Sequence, residues 1–120
     1  MEHHKKKILI ADDDPAILDM LTIFLEEEGY EVETVADGET LRTFEHGPPD
    51  LLLLDIWMSG WSGREICRFL KSQEATKQLP IVLFSANRET ERIAREAGAD
   101  AFITKPFDLT GLLATIERYL

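Results

Sequence analysis

The segment ILIADDDP, Ile8 to Pro15, is the clearest indication of the fold, because an apolar run ends abruptly in three aspartates and a proline. The run Leu51 to Leu54 ends in the same way at Asp55. Short apolar runs without polar interruption are typical of parallel strands that are buried on both faces. We therefore expect both runs to be inner strands of a parallel sheet, with carboxylates where they end.

Two more apolar runs end at single polar residues. Ile81 to Phe84 is followed by Ser85, and Ala101 to Thr104 is followed by Lys105. The carboxyl ends of parallel strands share one edge of a sheet, and ligands bind in the crevice outside them. Because acids, a hydroxyl and an amine follow equivalent strands, we expect them to form one site.

The composition argues against several classes of function. The chain has 120 residues and a formal net charge of -10, which opposes binding to nucleic-acid phosphates and to anionic membranes. No apolar run approaches the ~18 residues that suggest a membrane helix, and no secretory signal pattern is present. Cys67 is the only cysteine, so we expect a packed thiol in a protein of the reducing cytoplasm.

Short apolar runs alternate with longer amphipathic stretches, which is the pattern of repeated βα units. This pattern predicts an α/β fold with a doubly wound parallel sheet of five strands and five helices, in a single domain over residues 1–120. The predicted strands cover residues 6–11, 31–35, 50–54, 80–84 and 99–103, the second of them at a sheet edge. The predicted helices follow Asp14, cover 38–45, follow Ser62, and cover 87–97 and 109–120.

The aspartates have a simple structural explanation, helix capping, which we accept only for Asp14. Asp14 precedes Pro15 and is suited to cap the first helix. One cap suffices, and the adjacent carboxylates of Asp12 and Asp13 repel each other unless a cation or solvent screens them. Asp55 has no helical pattern directly behind it. A cation site therefore explains the other three acids better than capping does.

Magnesium is the cation that these acids suit best. Mg2+ takes one or two protein carboxylates, keeps several waters and is often shared with substrate phosphates. We expect Asp13 and Asp55 to bind it directly, Asp12 to act through a bound water, and a backbone carbonyl just after Asp55 to complete the protein ligands. Without metal, the clustered carboxylates should raise one another's pKa values. Lys105 is placed to pair with a carboxylate or a phosphate, and a solvated surface lysine is the plain alternative.

Four segments together resemble the receiver domain of bacterial two-component response regulators, and the resemblance covers essentially the whole chain. They are Ile8 to Pro15, Pro49 to Gly63, Ile81 to Ala86 and Gly98 to Phe107. The acidic pair, Asp55, Ser85 and the Lys105-Pro106-Phe107 motif occur in the order and at the spacing of that family. The resemblance implies a flavodoxin-like (βα)5 fold with the strand order 2-1-3-4-5.

The resemblance also implies roles for individual residues. Asp55 would be the phosphoacceptor, taking a phosphoryl group from a histidine kinase or a phosphotransfer protein. The Mg2+ ligands would be Asp12, Asp13, Asp55 and the backbone carbonyl of Trp57. Ser85 and Lys105 would contact the phosphoryl oxygens, and the Lys105–Pro106 peptide would be cis. Such a protein promotes its own phosphorylation and dephosphorylation but is not a multiple-turnover enzyme on an external substrate.

The same resemblance implies a switch. In the family, inward movement of the hydroxyl residue is coupled to an aromatic ring, which corresponds here to Ser85 and Phe102. Core packing is the plain alternative for Phe102. The switch would alter the face made by the predicted elements at 87–97, 99–103 and 109–120, where a downstream effector would bind.

Two residues are predicted to tune the lifetime of the phosphorylated form. Trp57 and Asn87 occupy the family's variable positions two residues beyond the acceptor and the hydroxyl. We hypothesise that the bulky Trp57 hinders the water that would attack the phosphoryl group. Docking of a partner on an exposed Trp57 ring is the competing role.

Three other classes of function share part of this pattern. A small Mg2+-dependent phosphohydrolase with an aspartyl nucleophile would resemble Asp-x-Asp, whereas Trp57 fills the second place. A flavodoxin-like cofactor protein would meet repulsion between its phosphate and the three aspartates of the first loop. A phosphorylation-independent protein-interaction module of the same fold is the main alternative. We expect no output domain, no direct nucleic-acid or membrane partner, and a monomer or a phosphorylation-dependent dimer.

Overall fold

The structure, a computed structural model, describes residues 5–42, 44, 47–58, 61–86, 89–106 and 108–120. Five parallel strands form one sheet in the order β2-β1-β3-β4-β5. The strands are β1 (Lys7–Ala11), β2 (Glu31–Val35), β3 (Leu51–Asp55), β4 (Ile81–Ser85) and β5 (Ala101–Thr104). The predicted α/β class, the strand order and the edge position of the second strand are therefore confirmed.

The described residues form four α-helices, of which three connect strands and the last follows β5. The first two begin after their predicted caps, and the last begins at its predicted first residue. The helices are α1 (Pro15–Glu27), α2 (Gly63–Ser72), α3 (Thr90–Ala97) and α4 (Leu109–Tyr119). Asp14 caps α1 by accepting a hydrogen bond from the Ala16 N–H at 2.9 Å, and the Ser62 hydroxyl accepts one from the Glu65 N–H at the start of α2. None of the helices in the described part of the chain is long and apolar enough to cross a membrane.

The helix predicted over 38–45 lies partly outside the described residues. Within the described residues, this segment forms a short 3-10 helix at Glu39–Arg42. Leu41, with 1% of its surface exposed, anchors it in the core. Phe44 packs against the same apolar cluster. A 3-10 helix of this length is usual, because the conformation is used in short pieces.

The sheet separates two apolar clusters, which is what a doubly wound fold requires. One cluster lies under α2 and α3 and includes the buried Ile66, Cys67 and Ile93. The other lies under α1 and α4 and includes Leu21 and Ile116. Cys67 is completely buried, as predicted for a packed thiol, and burial raises its pKa to about 11.

Candidate functional site

The strand register brings the predicted site residues to one edge of the sheet. Ala11 of β1 is level with Leu54 of β3, so Asp12 and Asp55 follow at the same height. Thr104 of β5 is level with Ser85 of β4, and the Lys105 N–H donates to the Ser85 carbonyl at 2.8 Å. The structure therefore confirms that these strands end at one edge of the sheet.

The three predicted acids form a compact cluster. Asp12, Asp13 and Asp55 each place a carboxylate oxygen within 4.8 Å of the others. Asp12 and Asp55 are buried, with 1% and 6% of their surfaces exposed, whereas Asp13 is exposed. The cluster therefore has two desolvated carboxylates at its base and one that reaches solvent.

Backbone amides orient the two buried carboxylates. Oδ1 of Asp12 accepts a hydrogen bond from the Asp14 N–H at 2.8 Å. Oδ1 of Asp55 accepts one from the Trp57 N–H at 3.2 Å. Their Oδ2 atoms both approach Nζ of Lys105, at 3.0 Å from Asp12 and 3.7 Å from Asp55. The plain alternative for Lys105, a solvated surface side chain, is therefore wrong.

Lys105 is held in place by its surroundings. Its Nζ lies 4.7 Å from the centre of the Phe84 ring, which favours a cation over its face. The Lys105–Pro106 peptide is cis, as the resemblance implied. This contact of Phe84 could not be identified from the sequence. A phenylalanine in an apolar run does not indicate that its ring will contact a lysine that follows a different strand.

The charge of the cluster suits a divalent cation. The three carboxyl groups outnumber the single ammonium of Lys105, so the cluster can carry more negative than positive charge. All available donor atoms are oxygens, which Mg2+ prefers. The cluster therefore fits the predicted metal in donor type and in charge.

The pKa of Asp55 reflects this repulsion. Burial, followed by the nearby charge of Asp12, raises it from its ordinary value of 3.8 to about 6, while Lys105 and the Trp57 N–H oppose the rise. The predicted mutual effect of the carboxylates is thus confirmed for Asp55, although burial contributes most.

This shift predicts how the stability of the metal-free protein depends on pH. The folded chain binds the Asp55 proton more tightly than the unfolded chain does, so the resulting stabilisation is complete below about pH 4 and lost as pH rises through about 6. We expect Asp55→Asn, which cannot ionise, to be more stable than the wild type by about 2 kcal/mol near pH 7.5 and nearly equal to it near pH 4. Urea unfolding in EDTA measures both values, and a difference that is independent of pH would contradict the prediction.

An open cleft of about 430 Å³ lies beside Asp55. It is lined by Asp55, Trp57, Ser85, Ala86 and Lys105. Ser85 is buried, with 1% of its surface exposed, whereas Trp57 is 56% exposed at the rim. A group bound to Asp55 would therefore have a hydroxyl and an ammonium beside it and an indole at the entrance.

Phe102, the predicted partner of Ser85 in the switch, is 39% exposed. It faces a groove between α3 and α4 that Arg95, Arg118 and Tyr119 also line. Simple core packing, the plain alternative for this ring, is therefore wrong. Asn87, the second predicted tuning residue, lies outside the described residues.

Comparison with known proteins identifies a matching family model and several relatives of this chain. The family model described as the response regulator receiver domain matches residues 8–117. MtrA of Mycolicibacterium smegmatis, a DNA-binding response regulator, is 35% identical to this chain over an alignment of 123 positions. The alignment covers 100% of this chain and 53% of MtrA. The chain spans about half the length of the curated relatives it matches.

Solved structures give the same result. A putative response regulator from Chloroflexus aurantiacus has a TM-score of 0.90 at 30% identity, covering 97% of this chain and 98% of the other. The response regulator TrrA from Thermotoga maritima, in complex with Mg(2+)-BeF, has a TM-score of 0.84 at 35% identity, covering 96% of this chain and 99% of TrrA. The likeness therefore extends over nearly all of both folds.

Proposed function

Since the chain belongs to the response regulator receiver family of two-component signalling, we propose that Asp55 accepts a phosphoryl group from a phosphohistidine of a histidine kinase or a phosphotransfer protein. The observation that carries this proposal is the position of Asp55. Its carboxyl group lines the open cleft together with Ser85 and Lys105, and the Lys105 ammonium lies 3.7 Å from it and 3.0 Å from the carboxylate of Asp12.

Mg2+ is the cofactor that we propose for this site. Asp13 and Asp55 would hold it directly, Asp12 through a water, and the Trp57 carbonyl would supply a further oxygen. When bound, the ion would offset the negative charge of the acids and of the incoming phosphoryl oxygens. The oxygen-only donor set and the likeness to TrrA support this choice.

The chain's own residues would do the remaining work. A carboxylate oxygen of Asp55 forms a bond to phosphorus while the bond from phosphorus to the imidazole nitrogen breaks, and the nitrogen keeps the electron pair. Asp55 needs no general base, since it attacks as an anion. The Ser85 hydroxyl and the Lys105 ammonium would bind phosphoryl oxygens, and positioning and charge stabilisation of this kind supply most of the catalysis of phosphoryl transfer. Phosphate thus ends on the protein itself, without turnover of an external substrate.

A change at the effector face would follow phosphorylation. The new phosphoryl oxygens attract the Ser85 hydroxyl, and the loop after β4 moves with it. This movement opens room for Phe102 to leave its exposed position. The groove between α3 and α4 that the ring faces then changes shape, and a downstream effector would recognise the difference. We propose a cytoplasmic location, typical of the family, and a monomer or a phosphorylation-dependent dimer.

Trp57 is proposed to prolong the phosphorylated state. Its indole is exposed at the rim of the cleft, on the side from which water would reach the phosphoryl group. We expect Trp57→Ala to lose phosphate about tenfold faster, a change of about 1.4 kcal/mol in the barrier. Decay of the isolated phosphoprotein, followed by intact mass, measures this rate. Trp61→Ala, altered on the same loop, serves as the control, and an unchanged decay rate in Trp57→Ala would contradict the proposal.

Intact mass spectrometry tests the proposed function directly. Incubation with Mg2+ and acetyl phosphate should add one alkali-labile phosphoryl group per chain. No mass change would favour the alternative, a phosphorylation-independent interaction module of the same fold. Continuous release of phosphate from many substrates would favour a phosphohydrolase.

A further inference from the structure

Gly63 is the first residue of α2, a position where a side chain would ordinarily be acceptable. The residue before it, Ser62, already caps the helix, and glycine is among the weakest helix formers. Its backbone does not adopt the left-handed conformation that favours glycine, which among the described glycines occurs at Gly29, Gly47 and Gly98. Conformational freedom therefore does not explain why glycine is at position 63.

Close contact with the acceptor strand does explain it. A Cβ atom at position 63 would overlap the carbonyl oxygen of Asp55 and lie 2.8 Å from Cα of Ile56. Both neighbours are backbone atoms, so no flexible side chain can turn aside. The start of α2 thus presses directly against the peptide that carries the proposed phosphoacceptor.

The contact belongs to a short chain of backbone hydrogen bonds. The Gly63 N–H donates to the Ile56 carbonyl at 2.9 Å, and the Ile56 N–H donates to the Phe84 carbonyl at 3.1 Å. The next amide, that of Trp57, donates to Oδ1 of Asp55 at 3.2 Å. Ile56 is therefore held on both sides, by α2 and by β4, between the acceptor and the residue whose carbonyl is the proposed metal ligand.

We infer that Gly63 is a positioning residue, which sets the Asp55 carboxylate and the Trp57 carbonyl at the spacing that Mg2+ binding and phosphoryl transfer need. The inference rests on the proposed function. A methyl group at position 63 must displace the start of α2 or the 55–57 backbone. Because reacting groups lose efficiency steeply when they are misplaced by about 1 Å, a small displacement here has a large effect on the chemistry.

The test compares Gly63→Ala with a variant of equal stability. Ile116→Ala and Ile116→Val alter the apolar cluster on the opposite side of the sheet. The control is the one of these two variants whose urea unfolding midpoint is closer to that of Gly63→Ala. Mg2+ affinity is measured by calorimetry at a temperature where both proteins are folded, and phosphorylation by acetyl phosphate is measured at saturating Mg2+. We expect Gly63→Ala to bind Mg2+ at least about tenfold more weakly and to react about 10- to 100-fold more slowly than the control.

The outcomes separate this inference from the proposed function. Wild-type protein that gains no Mg2+-dependent phosphate overturns the proposed function. A reactive wild type together with a Gly63→Ala variant that matches its control in Mg2+ affinity and in rate overturns only the role of Gly63.

A milder variant decides the case in which Gly63→Ala does not fold. Ser62→Ala removes the cap of α2 without adding an atom near Asp55. It should loosen the start of the helix and weaken Mg2+ binding about threefold relative to Ile116→Val. Equal affinities in these two variants would then overturn the inference.

Discussion

Asp55→Asn is expected to abolish phosphorylation by acetyl phosphate, with the rate reduced by about 10³-fold or more. The amide is close in size to the carboxylate, and its oxygen can still accept the hydrogen bond from the Trp57 N–H. It lacks the anionic oxygen that attacks phosphorus, however, and it is a poorer metal ligand. Because the fold is retained, the loss isolates the chemistry of this one side chain. Intact mass after incubation with Mg2+ and acetyl phosphate measures the result.

Asp50→Asn is the matched control for this experiment. Asp50 precedes the same strand, β3, at its opposite end, where it accepts a hydrogen bond from the Lys7 N–H at 2.7 Å. The substitution makes the same chemical change far from the cleft, and we expect phosphorylation at the wild-type rate. Full labelling of Asp55→Asn, or equal loss in both variants, would show that Asp55 is not the acceptor.

Lys105→Met should slow phosphorylation by about 10²-fold while leaving Mg2+ binding intact or tighter. Methionine keeps the length and apolar stem of lysine but removes the ammonium, which lies 3.0 Å from Asp12 and 3.7 Å from Asp55. That charge is placed to stabilise phosphoryl oxygens during transfer, so its loss should affect the rate. In the metal-free protein the same ammonium competes with Mg2+ for the carboxylates, so its loss should not weaken metal binding.

Lys71→Met provides the comparison for Lys105→Met. Lys71 also forms an ion pair, with Asp100 at 2.7 Å, but at the opposite edge of the sheet near the start of β5. We expect Lys71→Met to be less stable than the wild type. The folded variant should nevertheless be phosphorylated at the wild-type rate. A Lys105→Met rate within about twofold of wild type would exclude the proposed contact with the phosphoryl group.

Most of the site could be predicted because the sequence marks strand ends clearly. In Leu51–Asp55, an apolar run changes to a carboxylate within one residue, and the parallel register then brings that carboxylate beside Asp12. Lys105 follows from the same logic at the end of β5. Local sequence sufficed here because the geometry of a parallel sheet converts equivalent positions along the chain into neighbours.

Features that depend on the packing of distant segments could not be predicted. Glu39–Arg42 contains helix-compatible residues, but tertiary burial decides whether such a short stretch forms an α-helix or a 3-10 helix. The exposure of Phe102 could not be predicted either, since phenylalanines in strands are more often buried. The contact of Gly63 with Asp55 is visible only in the three-dimensional structure. A sequence does not distinguish a glycine that packs against the backbone of another segment from a glycine that ends a turn.

We propose that Asp55 accepts a phosphoryl group only when a divalent cation balances the charge of the cluster formed by Asp12, Asp13 and Asp55. Phosphate on Asp55, located by peptide mapping, should therefore be measured as a function of Mg2+ concentration with acetyl phosphate in excess. We expect none in EDTA and a rise to one phosphate per chain that follows the Mg2+ binding curve from calorimetry. Labelling that persists in EDTA, or that occurs on a residue outside the cleft, would contradict the proposed dependence of Asp55 phosphorylation on Mg2+.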